Sequence, residues 1–155
     1  MFESAISNVT DACQSVSSGP AICHGMLLWA VLVRACRLAC CDVALGDLGC
    51  KRAVVEAHGV ETLVASMRQH ASETTVQENG CGALQNVALG DVPCKRAVVQ
   101  AGAVEVIVVT MAMCAAPEQI KVQEYGCGAL CNIATGDPFC KQAVVNAQGV
   151  EAVVA

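Results

Sequence analysis

Residues 76–109, VQENGCGALQNVALGDVPCKRAVVQAGAVEVIVV, recur in the same chain as residues 122–155, VQEYGCGALCNIATGDPFCKQAVVNAQGVEAVVA. At an offset of 46 the two stretches are identical at 21 of 34 positions. An earlier copy, residues 32–67, matches residues 76–111 at 17 of 36 positions at an offset of 44. Self-similarity at a fixed period of roughly 20–50 residues is the signature of a repeat protein. The sequence therefore predicts about three copies of one structural unit.

Each copy divides into three predicted helices, one of which is short. The first carries an apolar stripe with helical spacing, which consists of Val76, Gly80, Leu84, Val87 and Ala88. The second covers residues 94–102, and the third begins near Val104 and runs to about Met113. The copies differ in length just before Val122, which indicates a loop. The predicted fold class is all-α.

A glycine followed by an aspartate separates the first and second helices of every copy, at Gly46-Asp47, Gly90-Asp91 and Gly136-Asp137. Glycine in the left-handed conformation commonly ends a helix. An aspartate side chain commonly caps the next helix, because it accepts from free backbone N–H groups. The pattern predicts a tight corner between a long helix and a short one.

Three helices in 44–46 residues, one of them short, resemble the armadillo repeat. The resemblance is strongest in one helix, which has the sequence pattern A-L-x-N-[LI]-A in the armadillo family. Residues 83–88, ALQNVA, and residues 129–134, ALCNIA, are similar to this pattern. It covers residues 32–155. It implies a right-handed α-α superhelix, an armadillo-like solenoid of about three repeats, that binds a protein or an extended peptide segment as an interaction module or scaffold.

The two ends of the chain depart from the complete repeat. Residues 1–31 are predicted to form a leading partial repeat, with a helix over residues 3–16, a break at residues 17–20 and then the start of a long helix. Residues 32–155 form the armadillo-like array, and its last copy stops a few residues into a helix. We therefore expect the last repeat to be truncated.

The resemblance also implies a binding site, because the long helices of armadillo proteins line a concave groove in which asparagines contact a peptide backbone. An amide side chain suits this task because it offers both a donor and an acceptor. The candidate residues on this face are Asp42, Asn79, Gln85, Asn86, Tyr125 and Asn132. Asn86 and Asn132 match the family's asparagine, and Tyr125 is the one aromatic residue on this predicted face and the best anchor.

Two departures from the family pattern affect this site. Family members that bind basic peptides often carry tryptophan four residues before the asparagine, and here Gly82 and Gly128 stand there. Asp42 replaces the asparagine in the first copy, which would favour a basic residue in the partner. Recognition of a lysine-rich peptide is therefore not implied. The asparagines also have an alternative interpretation, in which they bond neighbouring helices and bind no partner.

Composition narrows the classes of partner. The net charge is −5 and no run of lysine or arginine exists, so a nucleic-acid partner is not expected. The longest apolar stretch, residues 21–33, has 13 residues, fewer than the ~20 that span a bilayer, so no membrane partner is expected. The N-terminal residues show no secretory signal pattern. Twelve cysteines then favour a reducing compartment, the cytoplasm or the nucleus.

The cysteines and histidines do not form a motif for chemistry. Cys127 and Cys131 have helical spacing rather than the paired loops of a zinc site. We expect cysteine to act as a small buried hydrophobe, with no metal and no cofactor. No catalytic motif is present, so no catalytic residue is assigned and the chain is not expected to be an enzyme.

Two alternatives stay open beside the binding module. The chain could be a structural spacer or a self-assembling fragment of a longer repeat protein, which would self-associate through its open terminal repeats. It could also be a thiol-based metal or redox protein, which would bind zinc or carry rapidly reacting thiols.

Overall fold

The computed structural model describes residues 47–149. Within this range the chain contains helices and no strand, which confirms the all-α prediction. The elements are α1 (Leu48–Glu56), α2 (Gly59–Gln69), α3 (Thr74–Ala88), α4 (Val92–Gln100), α5 (Ala103–Met113), a 3-10 turn (Pro117–Gln119), α6 (Ile120–Ala134) and α7 (Pro138–Asn146). The partial repeat predicted for residues 1–31 and the array residues 32–46 and 150–155 lie outside the described residues.

The helices recur in one order with constant lengths. The short helices α1, α4 and α7 have 9 residues each, α2 and α5 have 11, and the long helices α3 and α6 have 15. Equivalent helices of successive copies lie next to each other, and the most extensive contact joins α3 and α6. The sequence repeat is therefore also a structural repeat of three helices, within the residues described.

The predicted apolar stripe of α3 is buried, as its helical spacing requires. Val76, Leu84 and Val87 are at most 3% exposed, and Gly80 and Ala88 are buried with them. Burying an aliphatic side chain of this size contributes about 1.5–3 kcal/mol. The stripe thus turns one side of the long helix into the core and leaves the opposite side for other contacts.

The predicted aspartate caps are present at all three corners. The Oδ1 atoms of Asp47, Asp91 and Asp137 accept from the backbone N–H groups of Cys50, Cys94 and Cys140 at 3.1, 3.2 and 3.0 Å. Each bond satisfies one of the N–H groups that a helix leaves free at its start. The Gly-Asp corners are therefore local structure that the sequence encodes directly.

The conformation expected of Gly90 is wrong. Gly102, with φ 72°, is the one glycine of positive φ among residues 47–149, so Gly90 is not left-handed. A Cβ atom on Gly90 would lie 2.8 Å from the Cβ atom of Cys94, and one on Gly136 would lie 2.9 Å from that of Cys140. Glycine stands at these corners because the next helix begins too close for a side chain.

No single helix in the described part of the chain has the length and apolar composition to cross a bilayer. The consecutive helices α4 and α5 have that length and composition only when they are taken together, and the chain bends by 66° between them.

Candidate functional site

The long helices carry five of the six candidate site residues. Asn79, Gln85 and Asn86 lie on α3, and Tyr125 and Asn132 lie on α6; we call these five residues the long-helix face. All five are half-buried. Asp42, the sixth candidate, lies outside the described residues.

Asn132 connects the two long helices. Its Nδ2 atom donates to the backbone carbonyl oxygen of Gln85, 3.1 Å away. This contact is of the kind that the alternative interpretation of the asparagines predicts. The side chain of Asn86 makes no hydrogen bond to any residue between 47 and 149. The two family-matched asparagines therefore differ: Asn132 links neighbouring helices, and Asn86 keeps an unused amide within the described structure.

The two glycines at the family's tryptophan position are covered by side chains of the adjacent long helix. A Cβ atom on Gly82 would lie 3.5 Å from Cδ2 of Tyr125, and one on Gly128 would lie 2.8 Å from Cδ of Gln85. Gly82 is consequently buried. The missing side chain lets the neighbouring residue enter, so Tyr125 and Gln85 occupy the space that a tryptophan would need.

Lys95 binds the C-terminal ends of both long helices. Its Nζ atom donates to the carbonyl oxygens of Ala88 and Asn132, at 2.9 and 2.8 Å, and to Oγ1 of Thr135 at 3.0 Å. A cation is favoured at helix C-termini, where free carbonyl groups concentrate partial negative charge. Sequence reasoning missed this residue, although the repetition of lysine at 51, 95 and 141 was a signal that could have revealed it.

Two glutamines at the start of the long helices, of which Gln77 is buried and Gln123 half-buried, were also missed. Gln77 donates through Nε2 to the carbonyl oxygens of Met67 and His70 at 3.0 and 2.9 Å. Gln123, its repeat equivalent, donates to those of Met111 and Cys114 at 2.7 and 2.8 Å. Each glutamine therefore satisfies the last carbonyl groups of the preceding helix. Glutamine stands at both of these equivalent positions, and that repetition was the signal that could have revealed them.

Arginine–aspartate pairs join successive short helices. Arg52 donates through Nε to Oδ2 of Asp91 at 3.0 Å, and Arg96 donates through Nε to Oδ2 of Asp137 at 2.6 Å. The hydrogen bond from Arg52, together with the cap bonds to Cys94, lowers the pKa of Asp91 to about 2. The cap bond from Cys140 and then Arg96 lower the pKa of Asp137.

The third copy departs from this pattern. Gln142 stands where the earlier copies have arginine, and it donates to Oδ1 of Asn146 on its own helix at 2.8 Å. The side chain that reaches forward in the first two copies therefore bonds within α7.

Cysteines of the described range are free thiols, and most of them are buried. Burial raises the pKa of the Cys81 thiol to about 12 and that of Cys94 to about 11. Cys131 is exposed. Between residues 47 and 149, His, Cys, Asp and Glu side chains do not gather in groups of three that could hold a metal ion.

Three solved structures, all described as crystal structures of engineered proteins from the Northeast Structural Genomics Consortium, resemble this chain. One is 30% identical with a TM-score of 0.73, over 94% of this chain and 53% of the other. A second is 24% identical with a TM-score of 0.73, over 93% and 53% of the two chains. A third is 30% identical with a TM-score of 0.73, over 92% and 31%.

The chain thus spans about half of the length of two of these proteins and about a third of the other. No protein-family model matches it, and no curated protein matches it. Together with the recurring helices, the likeness to these structures fits a helical repeat fold.

Proposed function

We propose that the chain is an armadillo-like solenoid that binds an extended segment of a partner protein along its long-helix face. Support for the architecture comes from the order of its helices. A short, a medium and a long helix recur in that order, and α3 packs against α6 as the long helices of such a solenoid would. Repeats that stack in this way form extended surfaces suited to protein segments.

The observation that carries the binding proposal is a row of amide groups whose hydrogen-bonding capacity no described residue uses. The side chains of Asn79, Gln85 and Asn86 form no hydrogen bond to the residues described, and all three are half-buried. An amide offers two N–H donors and an oxygen acceptor. A row of such groups matches the alternating N–H and C=O groups of an extended peptide backbone.

Tyr125 would supply the main side-chain contact of the partner. Its ring packs over Gly82, which holds it between the two long helices. An aromatic ring held in this way offers a large apolar surface together with a hydroxyl group, at a low entropic cost. The proposed setting is the cytoplasm or the nucleus, because free thiols at repeat-equivalent positions suit a reducing compartment.

The two asparagines have different roles in this proposal. Asn86 is a contact residue for the partner. Asn132 has one N–H group engaged by the carbonyl oxygen of Gln85, so it contributes its remaining N–H group and its oxygen while it also links the helices. Substitution of Asn132 should therefore affect both stability and binding, whereas substitution of Asn86 should affect binding alone.

Selection of a random peptide library displayed on phage against the purified chain would test this function. The tightest selected peptide is then titrated against wild-type, Asn86→Ala and Gln100→Ala proteins by calorimetry. Gln100 is an exposed amide at the end of α4 and serves as the matched control. We expect Asn86→Ala to weaken binding about tenfold with no fall in melting temperature, since alanine favours helices. Gln100→Ala should leave affinity unchanged.

Two results would contradict the proposal. One is a selection that enriches no peptide over an unrelated helical protein. The other is a selected peptide whose affinity is the same for the wild-type and Asn86→Ala proteins.

A further inference from the structure

The separation and register of α3 and α6 determine how a partner could contact the long-helix face. Two links join the C-terminal ends of these helices within the described structure. The first is the hydrogen bond from Nδ2 of Asn132 to the carbonyl oxygen of Gln85, at 3.1 Å. The second runs through Lys95, which lies on α4 rather than on either long helix.

Lys95 holds both long helices through their backbones. Its ammonium group donates to the carbonyl oxygen of Ala88 on α3 at 2.9 Å and to that of Asn132 on α6 at 2.8 Å. A third bond to Oγ1 of Thr135, at 3.0 Å, uses the remaining N–H group. Because one ammonium group bonds both helix ends, a shift of either helix along the other would break at least one bond.

Lys95 also acts on the residue that forms the other link. It binds the backbone carbonyl of Asn132, and the side chain of Asn132 in turn binds Gln85. The orientation of the Asn132 amide thus depends on a backbone position that Lys95 holds.

We infer that Lys95 is a positioning residue of the partner-binding face, which fixes α3 against α6 and so sets the placement of Asn86 and Asn132. This inference rests on the proposed function. Lys95 does not touch the partner itself. It acts through the carbonyl groups at the ends of the two helices.

The chain contains a matched control for this inference. Lys141 occupies the equivalent position in the next copy. It is exposed, and its ammonium group forms no hydrogen bond or ion pair with the residues described. Lys95→Met removes the three donors and keeps most of the side-chain stem, and Lys141→Met makes the same chemical change where no link is lost.

Two readouts are measured in each variant well below its melting temperature. The first is the NMR signal of the Asn132 side-chain amide, whose proton shifts and exchange rate report its hydrogen bond. The second is the affinity for the peptide selected on the wild-type protein. We expect Lys95→Met to move the Asn132 signals, to speed their exchange and to weaken peptide binding about tenfold. Lys141→Met should leave both readouts unchanged.

Unchanged Asn132 signals in a folded Lys95→Met protein would overturn the inference, and so would moved signals with unchanged affinity. If Lys95→Met does not fold, Lys95→Gln replaces it, because a shorter, uncharged amide side chain has only two N–H donors in place of three; the same changes are expected at smaller size. If the wild-type protein selects no peptide, the proposed function fails, and the NMR readout still decides whether Lys95 positions Asn132.

Discussion

The hydroxyl group of Thr110 on α5 donates to Oε1 of Gln77 on α3, 2.9 Å away, inside the core. Gln77 is 1% exposed. Its amide nitrogen donates to the carbonyl oxygens of Met67 and His70 at 3.0 and 2.9 Å. One side chain therefore satisfies three buried or half-buried polar groups and connects α3 with elements on both sides of it.

Gln77→Leu should be among the most destabilising conservative substitutions in the described structure. It removes the hydrogen bonds that Gln77 makes with the buried carbonyl oxygen of Met67 and the buried hydroxyl group of Thr110. It also removes one of the two that the carbonyl oxygen of His70 accepts, the other coming from the N–H group of Glu73. We expect a loss of about 2–4 kcal/mol in the free energy of unfolding, measured by urea denaturation. The equivalent Gln123→Leu should cost clearly less, because Gln123 is only half-buried. Equal losses at the two positions would contradict this account.

Glycines 80 and 82 on α3 should respond in opposite directions to alanine. A Cβ atom on Gly80 would lie 2.5 Å from Sδ of Met67, which is itself 1% exposed, whereas one on Gly82 would be in ordinary contact with Tyr125 at 3.5 Å. Gly80→Ala should therefore lower the free energy of unfolding by about 1–3 kcal/mol through overpacking. Gly82→Ala should raise it by up to about 1 kcal/mol through helix propensity. Thermal denaturation of both variants checks the prediction, and a stabilised Gly80→Ala protein would disprove the steric argument.

Asp91 should make stability depend on acid pH. Its pKa in the folded state is about 2, below the ordinary value of 3.8, so the folded state favours the charged form. The corresponding stability is present above about pH 4 and is lost as the pH falls toward about 2. In urea titrations across this window, Asp91→Asn should show a flatter dependence than wild type. Some dependence should remain, since the pKa of Asp137 is also lowered. Parallel curves for the two proteins would refute the assignment.

Cys81 should give the opposite dependence at alkaline pH. Burial raises its pKa from 9.0 to about 12, so the folded state retains a proton that the unfolded chain releases. Stability should be constant below about pH 9 and fall as the pH rises toward about 12. Cys81→Ala should reduce this fall in denaturation measured under reducing conditions. An equally large alkaline fall in the Cys81→Ala protein would contradict this account.

Local signals in the sequence predicted the helices well. The stripe from Val76 to Ala88 predicted which side of α3 is buried, because helical spacing puts these residues on one face. Asp91 was predicted as a cap because its bond to Cys94 spans only three residues. Gly90 was misjudged, since its need for glycine comes from the approach of Cys94 rather than from its own backbone angle.

The candidate site was predictable only in part. The repeat put Asn79 and Asn86 on one side of a long helix, with Gln85 beside them. Three contacts depend on how closely the two long helices approach each other. Tyr125 covers Gly82, Gln85 covers Gly128, and Lys95 reaches Asn132. No pattern within a single helix contains that distance.

The sequence by itself determined the repeat, the order and length of the helices, the corners at Gly-Asp and the core-facing stripe, because these follow from spacing and from hydrogen bonds between residues a few positions apart. Only the tertiary structure decided which polar side chains are used between copies. Asn132 and Lys95 bond residues 47 and 37 positions away, whereas Asn86, with the same side chain as Asn132, has no such bond within the described residues. Packing decides this use, because it brings the carbonyl oxygens of Gln85 and Asn132 within reach of side chains that are distant from them in the sequence.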